Sequence, residues 1–552
     1  MNAVKPDPPP LEVLQSLVKL YTDRIAGQPL PLFDTEALPN SIHRWSKGLF
    51  NSFLALTVRY SDHVFFGDAS AAAAAAAERY KKSASEILFA QLADSTADLE
   101  VFQGFCLLCL SEIYGESYPL VLTRKKLMDM DADGNMRKAW IAVGVATRLA
   151  ISSGIMGTKI DGVLVNSELS RCCWSLFILD RIHGSSFLTL PAIFNEDSFP
   201  EMPPSPARPD VSNQNAAIES GEPQITLEKD LGINSYALQL LSIWGRLMSY
   251  LKNIRQGNLE DAWAANSTYQ QIKSEMSRVE TILPEVHRFR NSRFHELTLS
   301  ELESHRAYWA SWIFTQLVYH CIHCTLNHPF LHIARIPGQR RLRSPSFLQH
   351  ATDQAVLHSA WVVLILGVCE QSGFKIFDPF IGHLASMIAT AQFFLQFSKD
   401  ETLAARASKD FRMLQGFVEK MSGTHAHLEH VASKLSRLAQ FATGSTETNS
   451  FLPPKIETAL LWNLLDYAVS SSTVVDGGDP SDNVEVAVNT QFLLPINAET
   501  PMPVSAQPHQ QEGPRPDFWD QTTFEFDMAD FANVSDMSGW TVPNESWITG
   551  HL

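Results

Sequence analysis

Residues 137–158 read RKAWIAVGVATRLAISSGIMGT, and residues 167–204 read SELSRCCWSLFILDRIHGSSFLTLPAIFNEDSFPEMPP. In both, apolar residues recur at helical spacing, and the second run leaves through a proline-rich exit. Trp140, Val143, Thr147, Ala150 and Ile151 share one side of the first run, and Ile141, Val145 and Leu149 share another. That pattern predicts a helix apolar around most of its girth and therefore buried. Ala139, Ala142, Gly144 and Ala146 let neighbouring helices approach closely, and Gly154 suits the left-handed position just past a helix end. In the second run Ser167 is placed to cap the helix and Glu168 to meet the positive end of its dipole.

At about 100° per residue, Leu169, Cys172, Cys173, Leu176 and Asp180 fall within about a third of the circumference. Asp180 is therefore on the apolar face, near the negative end of the helix, where a carboxylate is disfavoured. A buried charge without a partner is costly. We expect Asp180 to be held by an arginine or by backbone N–H groups of the following turn, with Arg148 and Arg171 nearest in sequence. Asp180, Arg171, Arg181 and Trp174 are expected to act as a structural pin of the fold.

Outward from this pair, Leu11, Leu14, Leu17, Val18, Tyr21 and Ile25 mark a first helix that Gly27 and Pro29 stop. Further helices are expected across 41–60, 71–92, 97–115, 231–255, 259–283, 297–326, 347–370, 378–398 and 402–440. The alanine run 71–77 reads as filler at a helix start. Residues 205–228 read as an exposed loop, and no run alternates with period 2. The fold class is all-α, a multi-helical bundle or array with a disordered acidic C-terminal tail. Its divisions are a helical domain over 1–440, a linker over 441–510 with one docking helix at about 456–469, and a tail over 511–552.

A resemblance joins these segments. Arg137-x-Ala139-Trp140, the Gly144-Val145-Ala146-x-Arg148-x-Ala150 helix and its Gly154 turn are similar to one half of the fungal-specific transcription factor domain. Glu168, Arg171, Trp174 and Leu179-Asp180-Arg181 are similar to the other half. LVKLYTDRIAGQPLPLFD at 17–34 resembles the family's opening helix and turn, and YHCIHCTLNHPFL at 319–331 its later helix. The resemblance covers about residues 14–400. It implies the middle homology region of zinc binuclear cluster regulators, here without the cluster. Cys172 stands where a second arginine is common and His328 where arginine usually precedes Pro-Phe. The usual Gly-Arg-Pro is reduced to Gly184 and a displaced Pro191. Residues 1–13 leave no room for the six-cysteine cluster, and the seven cysteines are not spaced for one, so no zinc ligand or DNA-reading residue is carried over.

Other constellations carry little chemistry. Asp129-Met-Asp131-Ala-Asp133-Gly134 begins like a calcium loop, but Trp140 stands where a bidentate Glu is needed, and an ordinary turn is expected. Cys321, Cys324, His328 and His332 share a helix face but spread over roughly 16 Å, too far for one zinc ion. Cys106 and Cys109 read as core. His425, His427 and His430 read as exposed or satisfied. Arg335, Arg340, Arg341 and Arg343 form a small basic loop. There is no phosphate loop, nucleophile elbow, dinucleotide fingerprint or terpenoid-type Asp motif. No cofactor and no metal are expected, and the chain is read as not an enzyme.

The formal charge of −17 argues against phosphate binding by the chain as a whole. The N-terminal residues lack a signal pattern, and the longest apolar run, Ala360–Cys369, has ten residues against about 20 for a membrane span. Seven cysteines in apolar segments suit a reducing compartment. Residues 501–552 hold eight acidic residues and one arginine, with Phe518, Trp519, Phe524, Phe526 and Phe531 set among the acids. Carboxylate repulsion keeps such aromatics exposed until a partner groove buries them, which is the pattern of an activation segment. The expected partners are transcription machinery or a coactivator through the tail, and a complete family member or a second copy through the body. No direct DNA binding and no membrane contact are expected of this chain alone. The resemblance places it in the nucleus, controlling a metabolic or secondary-metabolite gene cluster. The alternatives are a co-regulator without DNA binding, a chain whose zinc cluster is encoded upstream of Met1, and an all-α enzyme with an unrecognised pocket.

Overall fold

Helical periodicity becomes helix along most of the chain that the computed structural model describes. Those residues are 8–67, 70–93, 98–114, 132–157, 167–186, 191–193, 199–209, 230–258, 260–332, 344–447, 455–467 and 485–487. The five tail aromatics, the basic arginine loop and most of the expected loop 205–228 lie outside them. The N-terminal helices are α1 (Leu11–Arg24), α2 (Leu38–Ser41), α3 (Lys47–Thr57), α4 (Ser70–Ala93), α5 (Leu99–Ile113), α6 (Ala132–Ser152) and α7 (Ser167–Leu179). One π-helical turn, Asp180–Gly184, extends α7. Then come α8 (Ile233–Arg255), α9 (Thr268–Ile282), α10 (Phe289–Ser292), α11 (Leu299–Ser304), α12 (Arg306–Leu326) and α13 (Pro329–His332). The last group is α14 (Pro345–Ser372), α15 (Pro379–Leu395), α16 (Glu401–Ser422), α17 (Ala426–Glu447) and α18 (Thr458–Leu465).

Local chemistry sets the boundaries. Asp98 caps α5 by accepting from Val101 N–H at 3.1 Å, and Asp378 caps α15 by accepting from Phe380 N–H at 2.9 Å. Pro345 and Pro379 open their helices where a missing N–H costs nothing. Thr298 and Glu301 form a capping box on α11. Gly373 ends α14 at φ 76°, and Gly154 follows α6 at φ 74°.

α3, α4, α5, α6 and α7 pack against one another, and α8 joins them to α12, which packs on α14 and α15. α15, α16, α17 and α18 complete the array, and one buried apolar cluster runs from Val13 to Tyr467. Trp244, Trp309, Trp312 and Trp361 are among its largest fully buried side chains. By length and composition α14 is apolar enough to cross a membrane, but 78% of its apolar window is buried within the fold, as in a core helix.

Several expectations are corrected. α6 is not apolar all round in its surroundings: Ile141 is 43% and Ile151 47% exposed. Its buried stripe is Ala139, Ala142, Val143, Ala146, Thr147 and Ala150, because small residues allow the closest approach to α5. The alanine run is not filler, since Ala73, Ala76 and Ala77 are buried where α4 meets α3. Asp133, Gly134 and Trp140 lie inside α6, so there is no turn there, and Asp129 and Asp131 lie outside the described residues. The span 402–440 breaks at Gly423–His425 into α16 and α17, and α9 begins only at Thr268, capped by Ser267. Two three-residue strands, β1 (Lys455–Glu457) and β2 (Glu485–Ala487), pair antiparallel with Ile456 opposite Val486. They are too short to show a period of 2.

Leu88 of α4 is fully buried between two glycines. A Cβ at either Gly48 of α3 or Gly104 of α5 would lie 2.9 Å from its Cδ2. Gly104→Val should therefore lower stability by about 1–3 kcal/mol through overpacking. Leu88→Ala should cost about 2–5 kcal/mol alone and partly rescue Gly104→Val in combination. Denaturant unfolding of the three variants measures both effects.

Candidate functional site

The exit segment that follows the π-turn folds back along α7, running antiparallel to it. Ser170 Oγ donates to the Glu201 carbonyl, and Trp174 Nε1 donates to the carbonyls of Pro200 and Glu201 at 3.1 and 3.3 Å. Phe199 lies on the Trp174 ring at 4.9 Å between centroids. Four residues per step up one helix face therefore meet successive positions of the returning chain.

At the far end of this seam is Asp180, 2% exposed. Its Oδ1 accepts from Ala192 N–H at 2.8 Å and its Oδ2 from Ile193 N–H at 3.1 Å. Arg181 Nη1 stands 3.4 Å from Oδ2 and donates to the Ile193 carbonyl at 2.9 Å, with its guanidinium over the Phe177 ring at 4.7 Å. Burial raises the Asp180 pKa, and the two backbone N–H groups, then Arg181 and more distantly Arg148, oppose that rise. The π-turn makes this possible by bringing Asp180 and Arg181 to the same side as the returning backbone. Gly184 is required there, since a Cβ would lie 2.7 Å from Asp180 Oδ1. Gly245 of α8 gives the Arg181 stem its room, with a would-be Cβ only 2.8 Å from Cδ.

The structure brings Asp180, Arg181 and Trp174 to one seam but not Arg171. The charge of Arg171 acts on Tyr21 of α1, and its Nε is buried with no partner among the described residues. Arg148, also expected near Asp180, donates to the Gly144 carbonyl at 3.4 Å. Cys172 is a buried free thiol, hydrogen-bonded to the thiol of Cys106 on α5. Sequence reasoning did not single out Gly245, Ser186 or Asp466. Ser186 Oγ donates to Asp466 Oδ2 at 2.8 Å, joining the end of the π-turn to the end of α18 across 280 residues. No local pattern signals a pair so far apart.

The residues of the 319–331 motif also part company. Cys321 Sγ lies 3.7 Å from Thr325 Oγ1, and Cys324 Sγ donates to the Ala355 carbonyl at 3.8 Å. His328 Nδ1 accepts from Phe330 N–H at 3.1 Å, which leaves Nε2–H to donate to Thr390 Oγ1 at 2.9 Å. His332 Nε2 donates to the Leu326 carbonyl at 2.8 Å. Among the described residues no group of three or more His, Cys, Asp or Glu could hold a metal ion. Deeper in the same region Glu280 bonds both Tyr319 Oη and His323 Nε2, and His320 Nδ1 meets His358 Nδ1 at 2.9 Å. Burial holds His328 down at about 3 and His320 and His358 well below the ordinary range. These are neutral, structural imidazoles. His425 and His427 are corrections: both are buried, not exposed, and each has ring nitrogen without a partner among the described residues.

Asp180→Ala should cost about 3–5 kcal/mol, because it strips two backbone N–H groups of their acceptor and removes the carboxylate facing a buried guanidinium. Combined with Arg181→Met the loss should be less than additive. Chemical denaturation measures both, and an unchanged midpoint for Asp180→Ala contradicts the role of pin.

Comparison with known proteins agrees with the geometry. Residues 30–282 match the model of the fungal specific transcription factor domain, a span that runs from the turn after α1 to the end of α9 and includes the Asp180 seam. The chain is 24% identical over 370 residues to an uncharacterized transcriptional regulatory protein of Schizosaccharomyces pombe, covering 60% of this chain and 44% of that relative. It thus spans less than half the length of the relative it matches. No solved structure matches. Over residues 30–282, then, the chain is similar to the fungal specific transcription factor domain.

Proposed function

We propose that the chain is a nuclear transcriptional regulator, not an enzyme, that works by recruitment. The helical body receives a partner or small effector, and the acidic–aromatic stretch around Phe518, Trp519, Phe524, Phe526 and Phe531 engages coactivator machinery. The observation that carries this reading is the family match over residues 30–282, joined in one chain to an acidic stretch dense in aromatics. Control of a metabolic or secondary-metabolite gene cluster follows the family's association.

How such a regulator reaches DNA is constrained by its cysteines. All seven are buried, on α5, α7, α12 and α14, so none can be spared for a zinc cluster without dismantling the core. Combined with a charge of −17, this favours recruitment to promoters through a DNA-bound partner, such as a complete family member, over direct reading by the residues present here.

Fusing residues 441–552 to an unrelated DNA-binding module should switch on a reporter. Replacing the five aromatics by Ala should reduce the signal about 10-fold or more, since hydrophobic anchors carry most of such binding energy. A silent reporter with the intact segment sinks the activation reading. Retention of promoter DNA by the purified chain alone contradicts the recruitment route.

A further inference from the structure

Tyr467, just beyond α18, sits in a socket of histidines. The rings of His183, His383 and His427 lie 5.0, 5.0 and 4.8 Å from its ring, and Phe380 lies at 5.5 Å. The three histidines come from the π-turn, from α15 and from the first turn of α17, and all are buried. Nδ1 of His183 and both ring nitrogens of His383 and of His427 have no hydrogen-bond partner among the described residues. A polar group buried without a partner is costly to keep, and charging it there costs still more. The socket is thus the least satisfied part of the core, and it is occupied by the last described helix.

The helix has other attachments as well, among them the Trp462 ring, 4.9 Å from that of Phe330 on α13. Leu460, Leu461, Leu464 and Leu465 are buried against α15 and α17, Asp466 takes the Ser186 hydrogen bond, and Glu457 accepts from Arg437 Nη2 at 2.8 Å. The principal helix neighbours of α18 are α15 and α17, and α12 is not among them. We propose that residues 458–467 form an acid-released latch: protonation of the histidines around Tyr467 unseats this helix while the body around α12 stays folded.

The sign follows from the groups that face the socket. Burial holds His183 and His383 down at about 3. His427 is held well below its ordinary range by burial and then by the nearby His383, His425, His183 and His430. Each returns toward about 6.5 once water enters. The seated form therefore keeps its full stability above about pH 6.5 and loses it as pH falls toward the seated values. From the N-terminus of α15, Asp378 acts in the opposite sense: burial raises it to about 7, so it gives up a proton on exposure. On α5 and just past its end, burial pushes Cys109 and Tyr114 up, as it does Tyr467 itself, and all three stay neutral throughout. His425, against Tyr114, feels Arg59 and is likewise held at about 3 by burial. Three histidine protons gained against one carboxyl proton lost leave about two taken up on opening, or about 100-fold in the open population per pH unit.

Hydrogen–deuterium exchange of the full chain, corrected for intrinsic rates, tests this. Between about pH 5.5 and 4.5, where the exposed histidines are fully charged, the amides of 458–465 should lose protection about 100-fold while those of α12 keep theirs. His383→Gln and His427→Phe should each flatten the dependence toward about 10-fold, and Tyr467→Ala should expose 458–465 at neutral pH with α12 unchanged. Protection of 458–465 that does not depend on pH, that falls in step with α12, or that keeps its slope in both histidine variants overturns the proposal. Should the variants misfold, the comparison of 458–465 with α12 in the unaltered chain decides alone.

Discussion

A carboxylate removed from water must find its hydrogen bonds elsewhere, and Asp180 finds them on Ala192 and Ile193, twelve and thirteen residues further on. That requirement draws the proline-rich exit back along α7. Once it is there, Trp174 and Ser170 bond to the same returning backbone, and Phe199 covers the Trp174 ring. The single π-helical turn is the geometric cost of aiming Asp180 and Arg181 inward together. Gly184 and Gly245 are glycines because the carboxylate and the guanidinium stem occupy the space a Cβ would take. One buried charge thus fixes a helix end, a loop path and two small residues on neighbouring elements.

Beyond this seam the core holds many buried polar side chains, and two clusters of imidazoles among them differ in how they are satisfied. Around α12 the imidazoles are engaged: His328 with Thr390 and the α13 backbone, His287 with Tyr308 and Asp230, His323 with Glu280. These networks lock helices that meet nowhere near each other in sequence. Around Tyr467 the imidazoles are held but not satisfied. A core with one tightly bonded region and one frustrated region has an uneven distribution of local stability, and the frustrated region coincides with the last described helix.

How much of this could be read from the chain itself differs by element. The Asp180 anomaly was legible, because helical periodicity alone places a carboxylate on an apolar face. Its partners were not: the nearest arginines by spacing, Arg148 and Arg171, lie away from it, and Arg181 turns inward only because the helix changes from α to π geometry there. The histidines of α17 were misread for a related reason. His425 and His427 have no apolar periodicity to mark them as core; His425 is buried against Tyr114 and His427 against Tyr467, neighbours that the local sequence does not specify.

What the sequence determined by itself is the all-helical character, the positions of most helix boundaries and the family resemblance. Those depend on caps, breakers and 3.6-residue periodicity, which act within a few residues. The tertiary structure decided which face of α6 is buried, which arginine meets Asp180, and that His183, His383 and His427 converge on Tyr467. The convergence on Tyr467 is set by close packing between elements far apart in the sequence, where the fit of each against the others decides what is buried. No window of sequence contains both sides of those contacts.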